Sequence, residues 1–145
     1  MISDVPILHA ASRSLYTHPA RLEYDKFIAY ADDSLCHLSF SHPEVQAHEV
    51  QGVDIFECLN KLRRILQDEY GLYLSCAGSR IDTYSSGAAR NMSGGRVLFI
   101  YTLGQYPTRS NEVRIFDPAP PEKVGSLEEQ QRYHDDWLKS INLIS

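Results

Sequence analysis

The chain has 145 residues, 43% of them hydrophobic and 23% charged, which is enough apolar content for a packed core and excludes a disordered tail. Its net charge of −5 argues against a dedicated duplex-binding protein, so nucleic acid is not an expected partner. Mean hydropathy is −0.33, and no run approaches the roughly 18 apolar residues of a membrane span, so no membrane association is expected.

The N-terminus and the cysteines indicate a cellular compartment. Residues 1–8 lack the basic leader and long apolar stretch of a signal peptide. Cys36, Cys58 and Cys76 are too few and too scattered for a disulfide framework. We therefore expect a soluble protein in the reducing cytoplasm.

The first part of the chain predicts an arm followed by a hairpin. Residues 1–20 show no sustained hydrophobic period and contain a Thr-His-Pro sequence that blocks helix propagation, so we expect a loosely held N-terminal arm. Aromatic residues over 21–30 favour a strand, although a short helix is also consistent with them. An Ala-Asp-Asp-Ser turn at 31–34 and alternation over 35–40 predict the second strand of a hairpin.

The clearest helix is predicted over residues 53–70. Apolar side chains recur at spacings of three and four and form one stripe. The stripe comprises Phe56, Leu59, Leu62, Leu66 and Tyr70. Asp54 is placed to cap the amino end, and Gly71 is a typical left-handed stop.

Strands and a long polar segment follow the helix. Residues 72–76 read as a short buried strand, and residues 97–103 as a central strand buried on both faces, since seven β-forming residues carry no charge there. Residues 112–116 alternate as a half-buried strand. Residues 77–96 are rich in Gly and Ser and predict mostly loop, with a brief helical turn at 88–92.

The last predicted element is a helix from a capping box at Ser126 and Glu129 to about Ile141. The order of elements predicts an α+β fold in a single domain over 21–145. Its four- to five-stranded, largely antiparallel sheet would carry the two main helices on one face. A ferredoxin-like arrangement is one candidate topology among several.

The polar segment 78–96 is the strongest candidate for a binding site. It contains Arg80, Arg90 and Arg96 with Asp82 and Tyr84. Glycines let backbone N–H groups converge on a ligand, and arginine forks match carboxylate or phosphate geometry. The phosphate-binding fingerprints GxxxxGK[ST] and GxGxxG are missing. The segment is therefore either an anion or partner site or an ordered loop whose arginines bond to carbonyls and nearby acids.

Charge along the chain suggests a second surface. Residues 1–60 carry a net −6, residues 61–114 a net +4 and residues 115–145 a net −3. Pairing within the fold is one explanation, and separate charged faces are the other. An acidic contact surface for a basic partner would combine residues from the hairpin turn and the terminal helix: Asp32, Asp33, Glu128, Glu129, Asp135 and Asp136.

The sequence gives little support for catalysis or metal binding. His37, His42 and His48 are spaced by five and six residues, whereas zinc sites show tight ligand pairs. Cys76 reads as a buried hydrophobic residue, and His134 as part of a solvated helix face beside two aspartates. We therefore assign no catalytic residue, no metal site and no cofactor.

Several stretches together resemble a family of small bacterial proteins. They are the LRRIL helix segment at 62–66, the loop C-x-G-S-R-x-D-x-Y-x-S-G-x-x-R-x-M-x-G-G-R at 76–96, and the V-x-x-x-E-E-Q…W helix that begins at 124. The resemblance covers residues 53–141 and leaves out the first 50. Such proteins look like immunity proteins of polymorphic-toxin or contact-dependent inhibition systems, and no catalytic role accompanies the resemblance.

This resemblance implies a protein-binding module whose partner is a cognate toxin domain. A small acidic protein is suited to blocking a basic enzyme, because complementary charge accelerates encounter. The alternative is a nucleotide- or phosphate-handling enzyme built on the arginine loop. Only Asp82 and Tyr84 would qualify there as a general base.

Overall fold

Nine strands and three α-helices occur in residues 1–25 and 35–142, the parts of the chain that the computed structural model describes. The helices are α1 (Ile55–Tyr70), α2 (Gly87–Ser93) and α3 (Leu127–Ser140). The strands are β1 (Ile2–Val5), β2 (Ile7–His9), β3 (Ala20–Tyr24), β4 (Cys36–His42), β5 (Val45–Gly52), β6 (Leu72–Leu74), β7 (Thr83–Tyr84), β8 (Val97–Ile100) and β9 (Glu112–Arg114). The chain has an α+β fold, as predicted. The predicted hairpin turn, with Asp32 and Asp33, lies outside the described residues.

The largest sheet has four antiparallel strands in the order β1-β3-β4-β5. The predicted pairing of β3 with β4 is confirmed, with Leu22 opposite Phe40. Both side chains are buried, and α1 covers this face with Leu59 and Leu62. All four strands precede α1 in the chain, so the sheet lacks the split β-α-β units of a ferredoxin-like topology.

The prediction of a loosely held arm over residues 1–20 is wrong. Strand β1 pairs with β3 and β2 pairs with β6, so both are built into sheets. Val5, Ile7 and Leu8 are almost completely buried. The two strands have only four and three residues and are separated by Pro6, so neither is long enough to produce a recognisable period.

The prediction of a central strand over residues 97–103 is also wrong, because the strand is shorter than predicted and does not belong to the main sheet. Strand β8 ends at Ile100 and is the middle strand of a separate three-stranded sheet, β7-β8-β9. Only Leu98 within it is fully buried. Its neighbours have two and three residues, and such a small sheet cannot cover the apolar run on both faces.

Strand β5 has no counterpart in the sequence-based prediction. It forms a hairpin with β4 and is an edge of the main sheet. Its outward residues include Gln46, Ala47 and Glu49, and its inward Val45 and Val50 are only half-buried. An edge strand with one solvated face needs little apolar content, so the hydrophobic pattern gave no signal.

Helix α1 forms as its sequence predicts. The Asp54 carboxylate accepts a hydrogen bond from the Glu57 amide at 2.8 Å, and Gly71 ends the helix with a φ of 63°. The helix packs against β4, β5 and β6 rather than against the predicted 97–103 strand. None of the helices in the described part of the chain combines the length and the apolar character that a membrane span requires.

Helix α1 gives a direct test of the core. Leu62→Ala should lower the free energy of unfolding by about 2–5 kcal/mol, because the fully buried side chain would leave a cavity between α1 and the main sheet. Glu69→Ala, on the exposed side of the same helix, is the control and should change it by less than about 0.5 kcal/mol. Urea denaturation measures both. A loss well below about 1 kcal/mol for Leu62→Ala would contradict the assignment of the inner face.

Candidate functional site

A buried arginine on α1 fixes the position of α3. The Arg63 side chain is only 5% exposed. Its Nη1 donates to the Gln130 Oε1 atom at 2.7 Å and to the Gly78 carbonyl at 3.1 Å, and its Nη2 donates to the Gly125 carbonyl at 3.2 Å. Burial lowers the pKa of Arg63 to about 10. These bonds hold α1, the segment after β6 and the start of α3 together.

Gln130 completes this network from α3. Its Nε2 atom donates to the carbonyl of Arg80 at 2.9 Å and to that of Gly78 at 3.1 Å. A Cβ atom at Gly78 would collide with the side chains of Leu59 and Ile115. Gly78 therefore lets the backbone come close enough for its carbonyl to accept from both Arg63 and Gln130.

Two of the loop arginines are held by carboxylates. Arg80 donates to both oxygens of Asp82, at 2.7 and 2.8 Å, and both side chains are 16% exposed. Arg90 donates to both oxygens of Asp54, at 2.7 and 3.1 Å, and thereby ties α2 to the amino end of α1. These hydrogen bonds raise the pKa of each guanidinium. Each arginine carries its own counter-charge.

Arg96 lies against the N-terminal region instead. Its Nη2 donates to the Asp25 carbonyl at 2.5 Å, and its guanidinium lies 5.6 Å from the Tyr24 ring centroid. The expected carboxylate or carbonyl partners of Arg80 and Arg96 are therefore confirmed. The three loop arginines each meet a different partner, which favours a structural role over a shared anion site.

Next to this network lies an open cavity of about 550 Å³, here called the aromatic cleft. Six rings dominate its lining: Tyr84, Phe99, Tyr101, Tyr106, His134 and Trp137. They come from β7, β8, the loop that follows β8, and α3. The fold thus gathers aromatic residues that lie more than 50 positions apart in the chain.

The rings of the aromatic cleft pack on one another in a fixed pattern. Tyr84 and His134 are stacked at 3.9 Å with an interplanar angle of 9°. Tyr101 contacts Trp137 at 4.5 Å and 61°, and both are almost buried. Tyr106 stands 6.3 Å from Trp137 at 89° and remains 66% exposed. The cleft therefore has a packed aromatic floor and one exposed aromatic wall.

The prediction that His134 lies on a solvated helix face is wrong. The ring is enclosed by Tyr84, Tyr101 and Trp137. Among buried side-chain polar atoms of the described residues, only its Nδ1 has no hydrogen-bond partner. Burial lowers the pKa of His134, and the charge of nearby Asp135 opposes this shift only in part. Burial in this ring cluster therefore favours the neutral form of His134.

A second cavity of about 700 Å³, the polar cleft, adjoins the aromatic cleft and shares Tyr84 and Arg90 with it. It lies between α1 and α3. Its charges are paired, since Arg64 bonds to Glu128 at 3.0 Å and Lys61 lies 3.3 Å from Glu57. The hydrogen bond to Arg64 lowers the pKa of Glu128. Glu128 is thus engaged within the fold.

The two aspartates of α3 lie on different sides of the helix. Residues three and four apart share a helix face, so Asp135 lies beside Gln131 and Leu138, which line the two clefts. The Gln131 amide donates to Asp135 at 3.0 Å. Asp136 is exposed and two positions from His134, which turns it away from the core. Of the two aspartates, Asp135 therefore shares the side of α3 that carries cleft-lining residues.

The histidines and the cysteine considered as metal ligands or reactive groups are engaged in contacts within the fold. His37 lies against Asp25, His42 against the His18 carbonyl and His48 against the Tyr70 hydroxyl. Within residues 1–25 and 35–142, no three His, Cys, Asp or Glu side chains gather as metal ligands would. Cys76 is buried, which raises the pKa of its thiol.

Comparison with known proteins gives no relative: no family model matches the chain, and no curated protein matches it. The aromatic cleft was not identified by sequence reasoning. Trp137 was assignable to the inner face of the last helix, but nothing in the sequence connects it with Tyr84 or Tyr106.

The Arg63–Gln130 contact is testable by stability. Gln130→Leu keeps the side-chain volume and removes the acceptor of a buried cation, so it should cost about 3 kcal/mol of unfolding free energy. Gln131→Leu makes the same change at the next, exposed position and should stay within about 0.5 kcal/mol. Thermal and urea unfolding measure both variants. Equal stability of the two would refute the role of the network.

The enclosed imidazole predicts a pH effect. The pKa of His134 lies below its ordinary value in the folded state, and the unfolded chain titrates near about 6.5. As the pH falls through this region, the unfolded chain takes up the proton first, so the folded state loses stability. His134→Phe should lose less stability than the wild type between pH 7.5 and 5.5 in urea titrations. Parallel losses would contradict the enclosure of His134.

Proposed function

We propose that this protein binds another protein through the aromatic cleft and the adjoining side of α3, and that it acts as an immunity protein against a cognate bacterial toxin. The observation that carries the proposal is Tyr106, which is 66% exposed beside the buried Tyr101 and Trp137. Exposed aromatic rings over a packed floor are typical of the anchoring residues of protein interfaces.

The surroundings of the cleft support a protein partner. Leu103 and Met92, which lie in the chain near its lining residues, are 50% and 81% exposed. Single exposed apolar residues are ordinary, so the exposed ring of Tyr106, which does line the cleft, is the stronger support for a partner. Free Cys36, Cys58 and Cys76 are compatible with the reducing cytoplasm in which an immunity protein works.

Charge supports a basic partner. Asp135 lies on the side of α3 that carries the cleft-lining Gln131 and Leu138, and it bonds to an uncharged amide rather than to a cation. Complementary charge accelerates association with a basic protein such as a nuclease toxin. The arginines of residues 78–96 are engaged by acids and carbonyls, so they offer less to an acidic partner.

Co-expression tests the proposal directly. The protein encoded by the gene immediately upstream supplies the candidate toxin as its C-terminal region. Expression of that region alone should arrest growth of the bacterial host, and co-expression of this protein should restore growth. Tyr106→Ala should weaken the restoration, because it removes the exposed aromatic wall, while the folded state is kept. Equal growth inhibition with and without this protein would remove the immunity proposal.

Binding kinetics test the surface. Asp135→Lys should lower the association rate constant of the complex several-fold and weaken its salt dependence, because it places a cation at the edge of the contact with a basic partner. Asp136→Lys carries the same charge change on the far side of α3 and is the control, with a smaller effect on the association rate constant. Surface plasmon resonance at two salt concentrations measures both. A larger effect of Asp136→Lys would place the interface elsewhere.

A further inference from the structure

The aromatic cleft combines ring faces, unpartnered acceptor atoms and a neighbouring carboxylate. We propose that it receives one cationic side chain, an arginine or lysine, from the partner protein. This inference rests on the proposed function, since it names the chemistry of the anchoring residue of that partner.

The rings provide the first argument. Tyr106 and Trp137 stand at 89° to one another, so they form a corner rather than a stack. Phe99 and Tyr84 are half-buried and extend the lining. Aromatic faces attract cations, and a guanidinium group also stacks flat on them. A cavity of about 550 Å³ has ample room for one long side chain.

The unpartnered polar atoms provide the second argument. The Nδ1 atom of His134 has no hydrogen-bond partner, and the hydroxyls of Tyr84 and Tyr101 make no hydrogen bond to any residue that the structure describes. All three residues line the aromatic cleft. The His134 nitrogen is buried within the ring cluster, so the two tyrosine hydroxyls are the acceptors that a ligand can reach. Guanidinium and ammonium groups carry donors and no acceptors, so they match this set.

Charge provides the third argument. Arg90 lines the aromatic cleft, but its charge is balanced by the bidentate contact with Asp54 at 2.7 and 3.1 Å. Asp135 lies three positions before Leu138, which lines the cleft, and therefore on the same side of α3. Its carboxylate accepts a hydrogen bond from the uncharged Gln131 amide. Arg90 is thus neutralised by Asp54, whereas Asp135 forms no ion pair with any residue that the structure describes. An anionic ligand would meet the Asp135 carboxylate and the negative faces of the rings, so a cation is favoured.

Trp137 is the only tryptophan of the chain and lines the aromatic cleft, so its fluorescence reports on occupancy. The probe is Nα-acetyl-arginine amide, and the matched control is Nα-acetyl-citrulline amide, which replaces the guanidinium by a neutral group of similar shape. Both are titrated at constant ionic strength. We expect a saturable change with the arginine probe and about tenfold weaker binding of the citrulline probe.

Variants locate the response. Tyr106→Ala and Asp135→Asn should each weaken binding of the arginine probe about fivefold, because they remove a ring face and the neighbouring charge. Asp136→Asn makes the same neutralisation on the far side of α3 and should leave binding unchanged. Circular dichroism confirms that each variant is folded before titration.

The outcomes separate this inference from the proposed function. An absent fluorescence response, or equal affinity for the arginine and citrulline probes, overturns the cation site even if the partner protein still binds. Competition between the arginine probe and the partner protein for the aromatic cleft supports the cation site. Saturable, Tyr106-dependent arginine binding in a protein that fails to restore growth supports the cation site and removes the toxin as its source.

Discussion

The Arg63 guanidinium is buried, and no carboxylate lies in ion-pair contact with it in the described part of the chain. A buried charge without a counter-ion must be compensated by hydrogen bonds, or its desolvation would unfold the protein. Here the compensation comes from the Gly78 and Gly125 carbonyls and from Gln130. Two separate stretches of chain, the segment after β6 and the start of α3, must therefore meet at one point on α1, and this requirement places the C-terminal helix.

The clefts are consequences of this arrangement. Once Gln130 is held against Arg63, the next turns of α3 bring His134 and Trp137 over the small sheet. There His134 stacks on Tyr84 and Trp137 packs on Tyr101. The stacking closes the floor but leaves the far side open. The aromatic cleft is thus the part of the α3 contact that the fold does not fill.

Two of the arginines of residues 78–96 stabilise the fold through pairs with carboxylates. Arg90 satisfies the carboxylate that also caps α1, and Arg80 satisfies Asp82 within the segment. These pairs stabilise a stretch that has little apolar material to bury. They also leave the cleft-lining Arg90 with its positive charge balanced by Asp54.

The sequence by itself determined the elements whose signals are local. Helices α1 and α3 were predictable because their signals involve neighbours within a few positions. These signals are the caps at Asp54 and Ser126, the stop at Gly71 and the apolar stripe of α1. The β3–β4 hairpin and the α+β class follow from similar short-range patterns. For residues 78–96 the sequence left two alternatives open, a binding site for an anion or partner and an ordered loop whose arginines bond to carbonyls and acids.

Tertiary structure decided everything that depends on distant pairing. The N-terminal strands and β5 are stabilised by the strands beside them rather than by their own pattern, and the apolar run at 97–103 joined a small sheet instead of the main one. His134 has acidic neighbours in sequence but aromatic neighbours in space. Pairing and ring packing couple residues tens of positions apart, and a single sequence carries no periodic signal for such contacts.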